Sequence, residues 1–348
     1  MNNMERTMRK PLVALAGAMS AALMQPVLAQ SSVTLYGVID DAIEYQNGGN
    51  GAVARMTSGG LFASRYGFKG SEDIGGGLHV NFQLEQGFSG VSGAAANGTA
   101  AFNRQAWIGL SGGFGELRFG LQNTPQYIFL NPELDPVAVM SMGSPMLNFN
   151  SLTIRVSNAI AYFTPNFHGL TAQFMVAMRD STTKPTNGIQ FYNAAARYEN
   201  GPFRIAAGYE QAQNASGTST LKVFNAGVSY GIGNARLFGA YHTEKQTDNS
   251  VKRDSYEASG SWLFGPADQL VLMYGYVHDR TGNGNNAQQV GMTYEHYLSK
   301  RTTLYVSAAF IDNRNKAAFA LNGTAYAGVT VAPGSNARGA IFGVVHKF

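Results

Sequence analysis

The sequence predicts an all-β fold: a transmembrane barrel of sixteen antiparallel strands whose third long loop folds inward. Three observations predict it. Apolar and polar residues alternate with period two along nearly every segment. After residue 30, nothing approaches the roughly 20 apolar residues of a spanning helix. The composition joins 42 glycines and 11% aromatics to only 13% charged residues. Such a chain is poor material for a soluble core, but it suits a closed sheet with hydrocarbon outside and water inside.

The N-terminal segment sets the compartment. Arg6, Arg9 and Lys10 precede an apolar stretch from Leu12 to Leu28, which is broken by Ser20, Gln25 and Pro26 and closes with Val27-Leu28-Ala29. This is the layout of a secretory signal peptide at 1–29, leaving 30–348 as one barrel domain. The formal charge of +4 falls to about +2 without it, an excess that argues neither for nor against a nucleic-acid partner, while export argues against one. The absence of cysteine excludes disulfide frameworks and thiolate metal sites, and no cofactor is expected.

The strands follow from the alternation. Val80, Phe82 and Leu84 share one face while His79, Asn81, Gln83 and Glu85 share the other. Phe203, Ile205, Ala207 and Tyr209 likewise oppose Arg204 and Glu210. A sandwich would not need so many charged groups on its polar parity, which reads as a wet wall. The expected strands are 33–46, 61–70, 78–88, 101–112, 114–122, 156–164, 169–180, 189–199, 203–212, 221–231, 234–246, 253–264, 268–279, 287–298, 302–312 and 337–348. Tight links at Gly112-Gly113-Phe114-Gly115, Pro165-Asn166-Phe167-His168 and Gly231-Ile232-Gly233-Asn234 alternate with longer spans at 47–60, 89–100, 213–220, 280–287 and 313–336. The long spans are expected to face outside.

One connection departs from this pattern. Between Asn123 and Ile154 lie Pro125, Pro132, Pro136 and Pro145, the apolar residues Val137, Val139, Met140, Met142 and Met146, and the acids Glu133 and Asp135. A solvated loop does not usually carry so much apolar surface, so this one is expected to fold back into the lumen.

SSVTLYGVID from Ser31, SRYGFKGSEDIGGGLHVNFQLE from Ser64, FNRQAWIGLSGGFGELRFG from Phe102, NAIAYFTPNFHGL from Asn158, YLSKRTTLYVSAAF from Tyr297 and the terminal IFGVVHKF resemble the general porin family of β-proteobacteria, which includes the neisserial porins. The resemblance covers the whole chain after residue 30. It implies an outer-membrane channel for passive diffusion of ions and small hydrophilic solutes, with modest charge selectivity. It also implies a homotrimer of barrels in contact with outer-membrane lipid and lipopolysaccharide. Phe348 resembles the family's terminal aromatic, through which the outer-membrane assembly machinery recognises its clients. By parity it joins Ala340, Phe342 and Val344 on the lipid face.

A channel's selectivity resides in charge at its narrowest point. Parity turns Arg65, Lys69 and Arg155 inward, and the resemblance places Arg65, Arg104 and Arg155 on the basic wall of the constriction. Arg118 and Arg204 are candidates by parity alone. Glu133 and Asp135 are the expected opposing acids. Many relatives carry Arg after the Gly where this chain reads Gly120-Leu121-Gln122, so one customary basic residue is absent. Tyr36, Tyr162, Tyr274 and Tyr276 are expected as girdle or lipid-facing anchors.

Rival classes find little support. A lipolytic barrel would pair a serine with a histidine, and the histidines at 79, 168, 242, 278, 296 and 346 are scattered along the chain. Asp40 and Asp41 fall on opposite faces and cannot share a metal, and GIGNAR from Gly231 lacks the third glycine of a dinucleotide fingerprint. A barrel with a plugged lumen, serving as an adhesin or structural protein, is the stronger rival.

Overall fold

The computed structural model describes residues 32–137, 140–151, 153–179, 188–214, 216–322 and 328–348. The expected signal peptide and Val139 lie outside the described residues. The described strands are β1 (Ser32–Asn47), β2 (Ala52–Ser58), β3 (Arg65–Gly75), β4 (Leu78–Gly87), β5 (Gln105–Gly112), β6 (Gly115–Asn123), β7 (Arg155–Phe163), β8 (Leu170–Met178) and β9 (Ile189–Asn200). They continue as β10 (Phe203–Gln213), β11 (Thr220–Ile232), β12 (Ala235–Gln246), β13 (Lys252–Leu263), β14 (Asp268–Asp279), β15 (Ala287–Tyr297), β16 (Thr302–Asn313) and β17 (Ala337–Lys347).

Every neighbouring pair is antiparallel, and β1 closes on β17 with Ile43 opposite Phe342. Because β1 pairs with β2 along one half (Asp41 opposite Ser58) and with β3 along the other (Val38 opposite Arg65), β2 and β3 are halves of one wall strand. The barrel therefore has sixteen staves from seventeen hydrogen-bonded segments. No helix among the described residues is long and apolar enough to cross a membrane. Crossing falls to the strands, whose edges are all paired.

Two expectations need correction at this stave. Residues 52–58 form β2 rather than loop, and 61–64 are not strand but part of an inward excursion spanning 59–64. Leu61 and Ala63 point to the interior and are buried. The Asp40 carboxylate, itself fully buried, accepts from the Leu61 and Phe62 amides and from the Tyr305 hydroxyl at 2.7 Å. A buried carboxylate requires such donors, so Asp40 organises the excursion.

The alternation sorts the two surfaces as expected. Ile43, Ile108, Phe174, Leu237, Leu272 and Phe342 are all more than half exposed on the outside. Asp40, Glu44, Glu210 and Glu244 are buried inside. This inverts a soluble protein and fits a lipid-facing wall around a polar interior. At the seam, Gly37 and the terminal Phe348 exchange two backbone hydrogen bonds of 3.0 Å. The Phe348 ring lies so close over Gly37 that a Cβ there would stand 2.2 Å from it.

The connection between β6 and β7 carries two helices, α1 (Pro125–Leu134) and α2 (Pro145–Phe149). Each begins with a hydroxyl cap followed by proline: Thr124 accepts from the Tyr127 amide and Ser144 from the Leu147 amide. Proline costs nothing at a first helical position, where its missing N–H has no partner to lose. Met142, Met146 and Phe149 are buried, and Val137 packs with Val271 and Met273 of β14. This connection is thus the inward-folded third long loop. Residues 314–322 of the last connection also bend inward. Its Leu321 is buried, Phe319 meets Phe149 edge-on at 5.1 Å, and the Asn322 amide donates to Asn148.

Candidate pore constriction

The inward loop reaches across the lumen and docks on the wall opposite its origin. Glycine makes the docking possible. A Cβ on Gly227 would stand 2.6 Å from the Glu133 carbonyl, one on Gly275 2.2 Å from Pro145, and one on Gly291 2.1 Å from the Gly143 carbonyl. These inward positions of β11, β14 and β15 form a track into which loop backbone fits.

Wall side chains then hold the loop. Gln289 donates to the Gly143 carbonyl at 2.8 Å, Asn148 donates to Gln289 at 3.0 Å, and Ser141 and Thr293 share a hydrogen bond of 3.0 Å. Near the loop's return, Glu244 accepts from the Ser151 amide at 2.9 Å while contacting His242 and Arg253. Glu210 accepts from the Thr153 hydroxyl and from Asn193.

The wall left uncovered carries the basic cluster. Arg65 opens β3, Arg104 precedes β5 and Arg155 opens β7. One buried carboxylate, Glu85 of β4, contacts Arg104 at 2.7 Å and Arg65 at 3.4 Å, and it also accepts from the Tyr36 hydroxyl at 2.9 Å. Arg155 feels the like charges of Arg104 and Arg65 and the opposite charge of Glu85. The group therefore sums three guanidinium charges against one carboxylate. Arg65, Glu85 and Arg104, with Gln83, Gln105, Arg118, Asn123 and the loop residues Tyr127, Ile128 and Met140, border a cleft of about 280 Å³.

The other candidates are engaged differently. Arg118 is stacked between the rings of Trp107 and Phe163 at 4.0 and 4.1 Å and pairs with Glu116 at 2.6 Å. It sits five residues from Asn123, about 16 Å along the strand toward the short turns. Arg204 pairs with Glu199 at 3.3 Å, on the far wall, and approaches Glu133 at 3.9 Å. Lys69 is inward and exposed, over the Tyr36 ring at 5.5 Å.

Glu133 and Asp135 are both fully buried. Glu133 accepts from Ser229 at 3.0 Å, and Asp135 accepts from the Val137 amide at 2.7 Å and lies near Glu257. The loop presents its acids to the far wall behind it and neutral side chains to the arginines. Two features escaped the sequence reading. Parity makes Glu85 only a polar-face residue, although an acid on the strand next after Arg65 is a legible signal of pairing. Tyr36, expected toward lipid, faces inward and supports Glu85.

The sequence pattern of the Gram-negative porin family matches residues 12–316. Outer membrane porin protein 32 of Delftia acidovorans is 32% identical, covering 98% of this chain and all of the relative. The major outer membrane protein P.IB of Neisseria meningitidis serogroup A is 30% identical over 87% of this chain and 93% of its own. Among solved structures, an anion-selective porin from Comamonas acidovorans superposes with a TM-score of 0.79 at 30% identity, covering 92% of this chain and all of the other. OmpT of Vibrio cholerae, at 16% identity and a TM-score of 0.70, shares the fold. The chain belongs to the Gram-negative porin family, outer-membrane barrels through which ions and small hydrophilic solutes diffuse passively.

Proposed function

We propose that this porin favours small anions over cations and that Arg65, Arg104 and Arg155 impose the preference, with Arg118 guarding a second, deeper position. The observation that carries the reading is the imbalance at the cleft. Three guanidinium groups stand near one carboxylate, Glu85, which pairs with Arg65 and Arg104 alone, while the loop acids Glu133 and Asp135 are buried against the opposite wall. Glu133 and Asp135 then act chiefly as anchors of the loop. The solved relative described as anion-selective supports the same direction.

Reversal potentials in a potassium chloride gradient test this. Arg65→Ser with Arg155→Ser should move the potential toward cations, most strongly at low salt, where the Debye length is long. An unmoved potential would place the filter elsewhere.

The rest of the reading follows from membership of the family. Residues 1–29 are removed on export, the long connections face the exterior, three barrels associate in lipid rich in lipopolysaccharide, and the assembly machinery engages Phe348. The chain acts as a channel rather than an enzyme, with no nucleic-acid partner. The inward packing of both the β6–β7 and β16–β17 connections favours one alternative, a plugged barrel. Ohmic conductance steps in a planar bilayer support the channel, and silence from correctly folded protein would support the plug.

A further inference from the structure

On the outer surface, at the long-connection end, three lysines stand side by side. Register pairs Lys222 of β11 with Lys245 of β12, and Lys245 with Lys252 of β13. Arg280 continues the row, its amide donating to the Lys252 carbonyl at 2.8 Å. All four follow the parity of the lipid-facing residues Phe224, Tyr241, Tyr256 and Tyr274 on their own strands.

This arrangement is unfavourable for the isolated barrel. Like charges directly opposite on a sheet face, with Cβ atoms about 5 Å apart, repel one another. Among the described residues no carboxylate stands within ion-pair distance of the three lysines. Asp254, one outward position below, is already engaged by Arg280 at 3.2 Å and by the Tyr241 hydroxyl at 3.2 Å. An anion from outside the chain would relieve the repulsion.

The surroundings specify that anion. Below the cations on the same face runs an aromatic row, Tyr241 opposite Tyr256 opposite Tyr276, and below it the apolar Val228, Leu237 and Leu272. Four residues of strand separate the tyrosines from the lysines, about 13 Å along the strand and about 10 Å in height once the strands tilt. That is the depth of lipid head groups above an aromatic girdle. The three lysines on adjacent strands span about 10 Å, with the Arg280 guanidinium folded beneath them onto Thr243 at 3.1 Å; the row is too long for one phosphate and suited to a head group carrying two. The outward carboxylates of this chain, such as Asp41 and Asp312, are scattered rather than aligned, so a second copy offers no matching row.

We infer that Lys222, Lys245, Lys252 and Arg280 bind the phosphates of a bis-phosphorylated glycolipid in the outer leaflet, with its acyl chains lying along Val228, Leu237 and Leu272. The inference rests on the proposed orientation, with the long connections outside. It locates on this chain a lipid contact that family membership leaves unplaced.

The test uses the mature protein folded in detergent, titrated with bis-phosphorylated lipid A and with the same lipid stripped of phosphate, and read by native mass spectrometry. Lys222→Gln/Lys245→Gln/Lys252→Gln should bind the phosphorylated lipid at least about tenfold more weakly than the parent. Both proteins should bind the stripped lipid alike. Lys245→Gln alone should weaken binding by about fivefold, which covers the case of a triple variant that folds poorly. Unchanged affinity in these variants, or equal affinity of the parent for both lipids, overturns the site. Orientation is read separately by whole-cell labelling of Asn249→Cys, a unique thiol in this cysteine-free chain. Labelling from outside supports the outer leaflet. Failure to label while phosphate-dependent binding persists overturns that placement and leaves the cation row standing.

Discussion

Arg104 meets Glu85 at 2.7 Å, so the strongest ion pair of the basic cluster holds one of its own arginines partly neutralised. The carboxylate lies between Arg104 and Arg65 and limits their mutual repulsion. It tempers the field of the wall as well as shaping it.

Removing that carboxylate should sharpen selectivity. A unit charge about 6 Å from the conducting path contributes about 0.7 kcal/mol in a water-like dielectric, or roughly threefold in a permeability ratio. Glu85→Gln should raise the anion-to-cation ratio by about that factor, measured as a reversal potential at low salt. A shift toward cations would show that Glu85 is needed to hold the arginines in place.

The loop acids should behave differently. Glu133 is enclosed with Ser229 and Arg204 on the far wall. Glu133→Gln should leave the reversal potential where it is, while loosening the loop by about 1–3 kcal/mol. Single-channel recordings should report this as added current noise.

The glycine track offers a way to displace the loop without touching a charge. The Gly143 carbonyl occupies the place a side chain on Gly291 would need. Gly291→Val should cost about 1–3 kcal/mol of docking and raise single-channel conductance, with the barrel itself intact by heat-modifiable mobility. Unchanged conductance would mean that the loop does not set the bore.

The seam can be probed in the same manner. Gly37→Val should lower refolding yield and destabilise the barrel by about 1–3 kcal/mol, because the Phe348 ring already fills that space. Adding Phe348→Ala should recover part of the loss, leaving the share due to the nearby Arg65 carbonyl.

The staves were legible because lipid and water enforce period two, and β9 to β17 match their expected limits to within two residues. β2 was not, since Ala52, Ala54 and Ser58 place small residues outward while Val53 points inward, which erases the contrast. The apolar Leu61 and Ala63 imitated a strand start while packing toward Asp40. At the site, parity correctly turned Arg65 and Arg155 inward, yet parity cannot say how deep a loop residue lies. Glu133 and Asp135 read as pore acids because their burial depends on glycines more than ninety positions away in the chain. The helix starts at Thr124-Pro125 and Ser144-Pro145 carry caps that the sequence spells out.

The arginines belong to strands while the narrowing belongs to a loop, so polarity and mesh size are governed by separate parts. Drift or shortening of the loop would admit bulkier molecules without altering which sign of charge is welcomed. Exchanging arginines would retune that welcome at constant bore. Variation in one property can thus proceed without disturbing the other.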